Sequence, residues 1–104
     1  NISSEAGSIG QNTRESWFGY CMSKAALNME GSILHQNLMK VNGRVIQIHP
    51  GWVKTYMHGD YNHEATYEAS DAAEMISEVI EQFSRVPVDN QPAYVDLHGQ
   101  TLPW

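Results

Sequence analysis

The sequence predicts an α/β fold built on part of a parallel sheet, with about three short strands and two main helices. Three observations carry that prediction. A long stretch with helical apolar spacing stops at Asn42-Gly43; a short β-branched run, Arg44 to His49, follows at once and closes on Pro50-Gly51; and a second amphipathic helix then leads into another short apolar run. Helix, glycine stop and buried strand make the second half of a β-α-β unit, which implies parallel strands joined by a right-handed crossover.

The elements follow in chain order. Asn1 to Ser4 reads as the end of a strand, and Glu5 to Ser16, rich in small and polar residues, as a loop. From Phe18 to Met39 the residues Met22, Ala26, Met29 and Ile33 recur at steps of four, three and four, with Leu27, Leu34 and Leu38 on an adjoining stripe. That spacing predicts a helix whose apolar face is wide enough to touch two partners. Residues 52–69 show no period and read as a mobile segment with one short helix. Ser70-Asp71 is expected to cap a second helix with Ala72, Ile76, Val79 and Phe83 on its buried face and Glu74, Glu78 and Glu81 in solvent. Pro87 ends it, and Tyr94 to Leu97 is a last short strand.

A single partial domain over residues 1–104 is the expectation, because two helices do not cover both faces of a sheet with a fully apolar central strand. The chain opens at Asn1 in what reads as mid-strand, so it is expected to be part of a longer protein.

Composition narrows the function. Net charge is −6, and the six basic residues form no run, which speaks against nucleic acid as a partner. No stretch reaches the roughly 18 to 20 apolar residues that span a bilayer. The lone Cys21 fits a small packed side chain and a cytoplasmic location.

Chemistry concentrates at Tyr20 and Lys24, which stand at i and i+4 and so rise from one helix face. An ammonium beside a phenol stabilises phenolate and fits the tyrosine for proton exchange near neutral pH. Ser4, ending the preceding strand, carries a hydroxyl to the same sheet edge, where open α/β folds place their ligands. Taken alone, the Tyr-x-x-x-Lys pair also fits an aromatic with a lysine stem lying along it. The order of motifs is more specific: Asn1-Ile2-Ser3-Ser4-x-x-Gly7, then Tyr20 and Ser23-Lys24-Ala25-Ala26-Leu27-Asn28, then Pro50-Gly51-Trp52-Val53-Lys54-Thr55.

In that order the chain resembles the C-terminal half of the short-chain dehydrogenase/reductase family, over essentially its whole length. The Gly7-Ser8-Ile9 stretch and the ending Asp96-Leu97-His98-Gly99 with Leu102-Pro103-Trp104 look most like the carbonyl-reductase branch that includes the sniffer and C-factor proteins. The resemblance implies half of a Rossmann-like doubly wound sheet and hydride transfer between a nicotinamide cofactor, NADP or NAD, and a small carbonyl or alcohol substrate. Ser4, Tyr20 and Lys24 match the family's catalytic residues, Ser4 rather than Ser3 because it directly precedes Glu5-Ala6-Gly7. Tyr20, Lys24, Pro50, Gly51, Val53 and Thr55 match its nicotinamide-side residues. The family's glycine-rich pyrophosphate turn has no counterpart among these residues. Loss of most cofactor affinity is therefore expected for this chain alone, and the alternative is a catalytically silent remnant that serves as an interaction or assembly module. The family also implies a homo-oligomer formed through helix 18–39.

His58, Asp60, His63 and Glu64 cluster without a standard metal spacing, and a polar substrate loop explains them better than a metal site. Trp52, Tyr56, Met57 and Tyr61 fit either a substrate pocket or the packing of a lid.

Overall fold

The computed structural model describes residues 1–104 as an α/β unit. Helix α1 spans Phe18–Met39, strand β1 Ile46–Ile48, helix α2 Ala69–Ser84 and strand β2 Ala93–Val95. β1 and β2 pair in parallel, Gln47 opposite Tyr94. On the other side of β1, Ile2 makes a parallel bridge to Ile48, with Ile48 N–H donating to the Asn1 carbonyl and Ser3 N–H to the Ile48 carbonyl. The expected three strands are thus present, the first reduced to one bridge, and β1 lies at the centre.

β1 is shorter than the run Arg44 to His49 that the sequence marks. Val45 N–H donates to His35 Nδ1 at 3.0 Å instead of to a neighbouring strand, so the ladder begins one residue later. At the far end His49 N–H still reaches the Val95 carbonyl, and Pro50 ends the pairing.

The helices take opposite faces of this sheet. α2 packs Ala72, Val79, Met75, Ile76 and Phe83 against Ile46, Ile48, Ala93, Val95 and Leu97, which is the apolar core. Its start differs from expectation: Glu68 is the N-cap and Ser70 and Asp71 lie inside the first turn, without a side-chain cap bond. The reason lies in the preceding segment, where Tyr67 pairs with Val53 and the chain turns into the helix directly after that pairing. Residues 52–68 contain no helix; that bridge and an ion pair between Lys54 and Glu68 tie the two ends of the segment together.

α1 corrects the sequence more deeply. Its buried residues are Asn28, Gly31 and His35, whereas Met22, Met29 and Ile33 of the expected apolar stripe are 58–68% exposed. A Cβ on Gly31 would stand 2.1 Å from Gln47 Nε2, so glycine brings the helix backbone down onto a fully buried glutamine of β1. Hydrogen bonds fill this interface: Gln47 Nε2 donates to the Leu27 carbonyl at 2.9 Å, and Ser3 Oγ donates to Asn28 Oδ1 at 2.6 Å. At the C-terminus Asn42 adopts the left-handed conformation, and Gly43 N–H returns to the Leu38 carbonyl, the closure expected of a helix stop.

Candidate active site

Ser4 leaves the sheet edge in an extended conformation and caps the short 3₁₀ turn Glu5–Gly7. Its Oγ accepts from Ala6 N–H at 3.1 Å. One lone pair is thereby engaged and the hydroxyl proton remains free to donate. Its carbonyl accepts from Gly7 N–H at 3.0 Å and from Tyr94 Oη at 2.6 Å. Gly7 is required because a Cβ there would meet the Lys24 backbone at 2.7 Å. The Ser4 turn and α1 are in consequence locked together where Lys24 leaves the helix.

Tyr20 lies in the first turn of α1. The helix begins from Trp17, whose φ of 66° is left-handed and whose indole stands edge-on to the Tyr20 ring, centroids 6.1 Å apart. Lys24 Nζ sits 5.7 Å from the Tyr20 ring centroid and donates to the Ile2 carbonyl at 3.4 Å.

A cavity of about 550 Å³ opens between these elements and the segment after β1. Ser4, Tyr20, Pro50, Gly51, Val53 and Thr55 line it, while Lys24 does not. The cavity lies at the carboxyl end of β1, the edge where the topology predicts a ligand. Gly51 has φ 74°, and a Cβ on it would stand 2.8 Å from the Tyr67 ring, so only glycine makes this turn. In the bridge between Val53 and Tyr67, Tyr67 N–H donates to the Trp52 carbonyl and Lys54 N–H to the Tyr67 carbonyl. The N–H and C=O of Val53 itself take part in none of these bonds.

Trp52 and Met57 also line the cavity, whereas Tyr56 and Tyr61 pack on each other at 5.2 Å. Of the polar cluster in this segment only His58 reaches the wall; His63 instead packs edge-on against Tyr61. Among the lining residues that the sequence did not mark for the site are Glu5, Arg14 and Trp17. Arg14 forks onto the Glu5 carboxylate, Nη1 to Oε2 at 3.0 Å, and its guanidinium lies 5.7 Å from the Trp17 ring centroid. The signal was an acidic and a basic residue at either end of one glycine-containing loop. Arg14 holds the Glu5 carboxyl below the usual range through that hydrogen bond, and burial pushes His49, on the same wall, below the ordinary imidazole value.

A parallel α/β unit with Ser4, Tyr20 and Thr55 on one cavity at the carboxyl edge of its sheet defines the class of protein, and comparison with known proteins gives the kin. No family model matches the chain. It is 32% identical over 104 residues to the C-signal of Myxococcus xanthus, covering all of this chain and 59% of that protein. Among solved structures, the carbonyl reductase Sniffer of Drosophila melanogaster superposes with a TM-score of 0.83 at 32% identity, over all of this chain and 40% of Sniffer. An NADPH-bound carbonyl reductase from chicken fatty liver gives 0.80 at 28% identity, over all of this chain and 41% of that enzyme. The resemblance to short-chain dehydrogenase/reductases therefore holds in sequence and in fold along the whole chain, which spans about half the length of these proteins.

Proposed function

We propose that these residues form the catalytic and nicotinamide-side half of an NADP-dependent short-chain oxidoreductase that interconverts a small carbonyl compound and its alcohol. One observation carries the reading: the Ser4 and Tyr20 hydroxyl residues share a single cavity with Val53, whose main-chain groups are unpaired. A carboxamide needs one donor and one acceptor on an adjacent wall, and Val53 offers both. The wall fits the nicotinamide end of the cofactor; Gly7, Gly10 and Gly19 lie in the 3₁₀ turn, a loop turn and α1, and none forms a pyrophosphate cradle of strand, turn and helix.

When bound, the nicotinamide supplies the hydride for the carbonyl carbon. The chain's own residues do the rest. Ser4 donates its free hydroxyl hydrogen to the carbonyl oxygen and orients it. Tyr20 gives its phenolic proton to that oxygen as negative charge develops there. Lys24, with its ammonium 5.7 Å from the Tyr20 ring, stabilises the phenolate left behind, and its remaining N–H donors are free for a ribose hydroxyl. In the reverse direction Tyr20 takes the proton back.

The test is NADPH binding followed by fluorescence, together with turnover of a small aldehyde in wild type and Tyr20→Phe. Positioned proton transfer contributes about 10² to 10⁴ in rate, so Tyr20→Phe is expected to lose turnover by that factor while still binding NADPH. Wild-type turnover in Tyr20→Phe overturns the assignment. A second reading, an interaction or assembly module without turnover, has one observation in its favour: Phe18, Met22, Met29 and Ile33 leave an apolar line of α1 open to solvent. Pairing of two copies through α1 is part of both readings, and light scattering on Met22→Glu, Ile33→Glu decides it. A dimer that persists in that variant excludes this face.

A further inference from the structure

The Glu5, Arg14 and Trp17 side chains do not belong to the proton-transfer scheme, yet they line the same cavity as Ser4 and Tyr20. They also form a continuous series of contacts. Glu5 follows Ser4 directly and receives both arms of the Arg14 fork. Arg14 lies over the Trp17 indole, and Trp17 stands perpendicular to the Tyr20 ring, at 89°. One end of the series is thus bonded to the residue after the serine and the other touches the phenol.

Backbone geometry gives the series a purpose. Trp17 has φ 66° and ψ 35° and caps α1 without any side-chain hydrogen bond of its own. A large non-glycine residue does not rest in the left-handed region unless its surroundings hold it there. The Trp17 carbonyl accepts from Cys21 N–H at 2.9 Å, and its side chain is held by Arg14 and by the Tyr20 ring. The fork is planar and bidentate, so it fixes direction as well as distance. Its two side chains are about 30% exposed, partly shielded from the solvent that weakens surface pairs.

We propose that Arg14 is a positioning residue: through its fork on Glu5 and its stack on Trp17, it sets the separation and orientation of the Tyr20 phenol relative to the Ser4 hydroxyl. The inference rests on the catalytic roles proposed above for Ser4 and Tyr20. Arg14 touches neither hydroxyl and carries no proton. Its action is geometric, bracing the Ser4 turn against the first turn of α1, whereas the Gly7 contact with the Lys24 backbone and the Asn28 Nδ2 bond to the Gly7 carbonyl hold that turn further along the helix.

The experiment compares wild type with Arg14→Leu, Glu5→Gln, the double variant and Arg14→Lys, with two independent readouts. The first is the nuclear Overhauser effect between the Trp17 indole and the Tyr20 ring, present in wild type and lost in Arg14→Leu while the signals of α2 and β2 stay in place. The second is turnover: kcat falls roughly tenfold, as a displacement of well under 1 Å in a reacting group can cause, at unchanged KM for NADPH. Glu5→Gln gives a similar loss, and the double variant is no worse than either single one, because both remove the same brace. Arg14→Lys, which keeps the charge and loses the fork, does not recover the rate. An indole-to-phenol contact that survives in Arg14→Leu, or full activity in Arg14→Lys, overturns the proposal. If wild type shows no turnover, the catalytic reading fails, and the Overhauser measurement still decides whether Arg14 holds Trp17 on Tyr20.

Discussion

Gly31→Ala puts the closest contact of the fold to the test. The added Cβ would lie 2.1 Å from Gln47 Nε2 and 2.7 Å from its Cδ, well inside any van der Waals separation. Gln47 is 0% exposed, so its side chain has no open solvent to move into. It must rotate or α1 must rise, and either movement breaks the 2.9 Å bond to the Leu27 carbonyl. Overpacking of this kind costs about 1–3 kcal/mol, and loss of the bond adds about 1 kcal/mol. Against this, alanine in mid-helix gains about 0.5–1 kcal/mol over glycine. The net expectation is destabilisation of about 1–3 kcal/mol, or roughly 4–20 °C in melting temperature for a unit this size, read by circular dichroism during thermal and urea unfolding. A second variant separates the causes: Gly31→Ala with Gln47→Ser removes the obstructing amide and should recover most of the loss. A Gly31→Ala protein as stable as wild type would refute the close approach of α1 to β1, and with it the reason for a polar helix face.

Two further outcomes follow from the same structure. Acid should destabilise the fold in two stages, followed as melting temperature from about pH 7.5 to about pH 3. The folded pKa of His49 is depressed by burial below its ordinary 6.5, so its contribution is complete above that value and is lost as pH falls below it; that of Glu5 is depressed below 4.5 by Arg14, so its contribution disappears at lower pH still. His49→Asn should flatten the upper stage alone, and a melting temperature that rises on acidification contradicts both assignments. Tyr94→Phe removes the bond to the Ser4 carbonyl but leaves that oxygen its partner Gly7 N–H, so the loss is about 1 kcal/mol by urea unfolding; no loss would mean that Tyr94 does not hold the serine turn.

Much of the fold was legible because its signals are local. α1 runs from Phe18 to Met39 as its spacing predicts, since Asn42 and Gly43 close it through their own backbone. The buried face of α2 follows from its period. What was not legible depends on contacts between distant residues. Val45 looks like strand until His35 takes its N–H, and Ser70 looks like a cap until the pairing of Val53 with Tyr67 moves the helix start to Glu68. The cavity shows the same division. Ser4, Tyr20 and the turn from Pro50 to Thr55 are motifs, whereas Arg14 acquires a role only once the loop folds back on Glu5.

The failure of the apolar rule on α1 has a physical explanation that bears on the site. Apolar contact is non-directional, so a helix resting on Leu and Met can slide by a fraction of a turn at small cost. α2 rests on such contacts and carries none of the residues that line the cavity. α1 carries Tyr20 and Lys24, and it meets the sheet through bonds from Gln47 to Leu27 and from Ser3 to Asn28, with glycines at Gly7 and Gly31 where backbone meets neighbour. Hydrogen bonds have narrow distance and angle tolerances, and a buried network of them specifies one register. The element that carries the two residues proposed to act in proton transfer is therefore the one seated on directional contacts. Repacking the core around Val79 should change stability with little effect on the cavity, whereas a change at Asn28, Gly31 or Gln47 should move the Tyr20 hydroxyl relative to Ser4 even in a protein that remains folded.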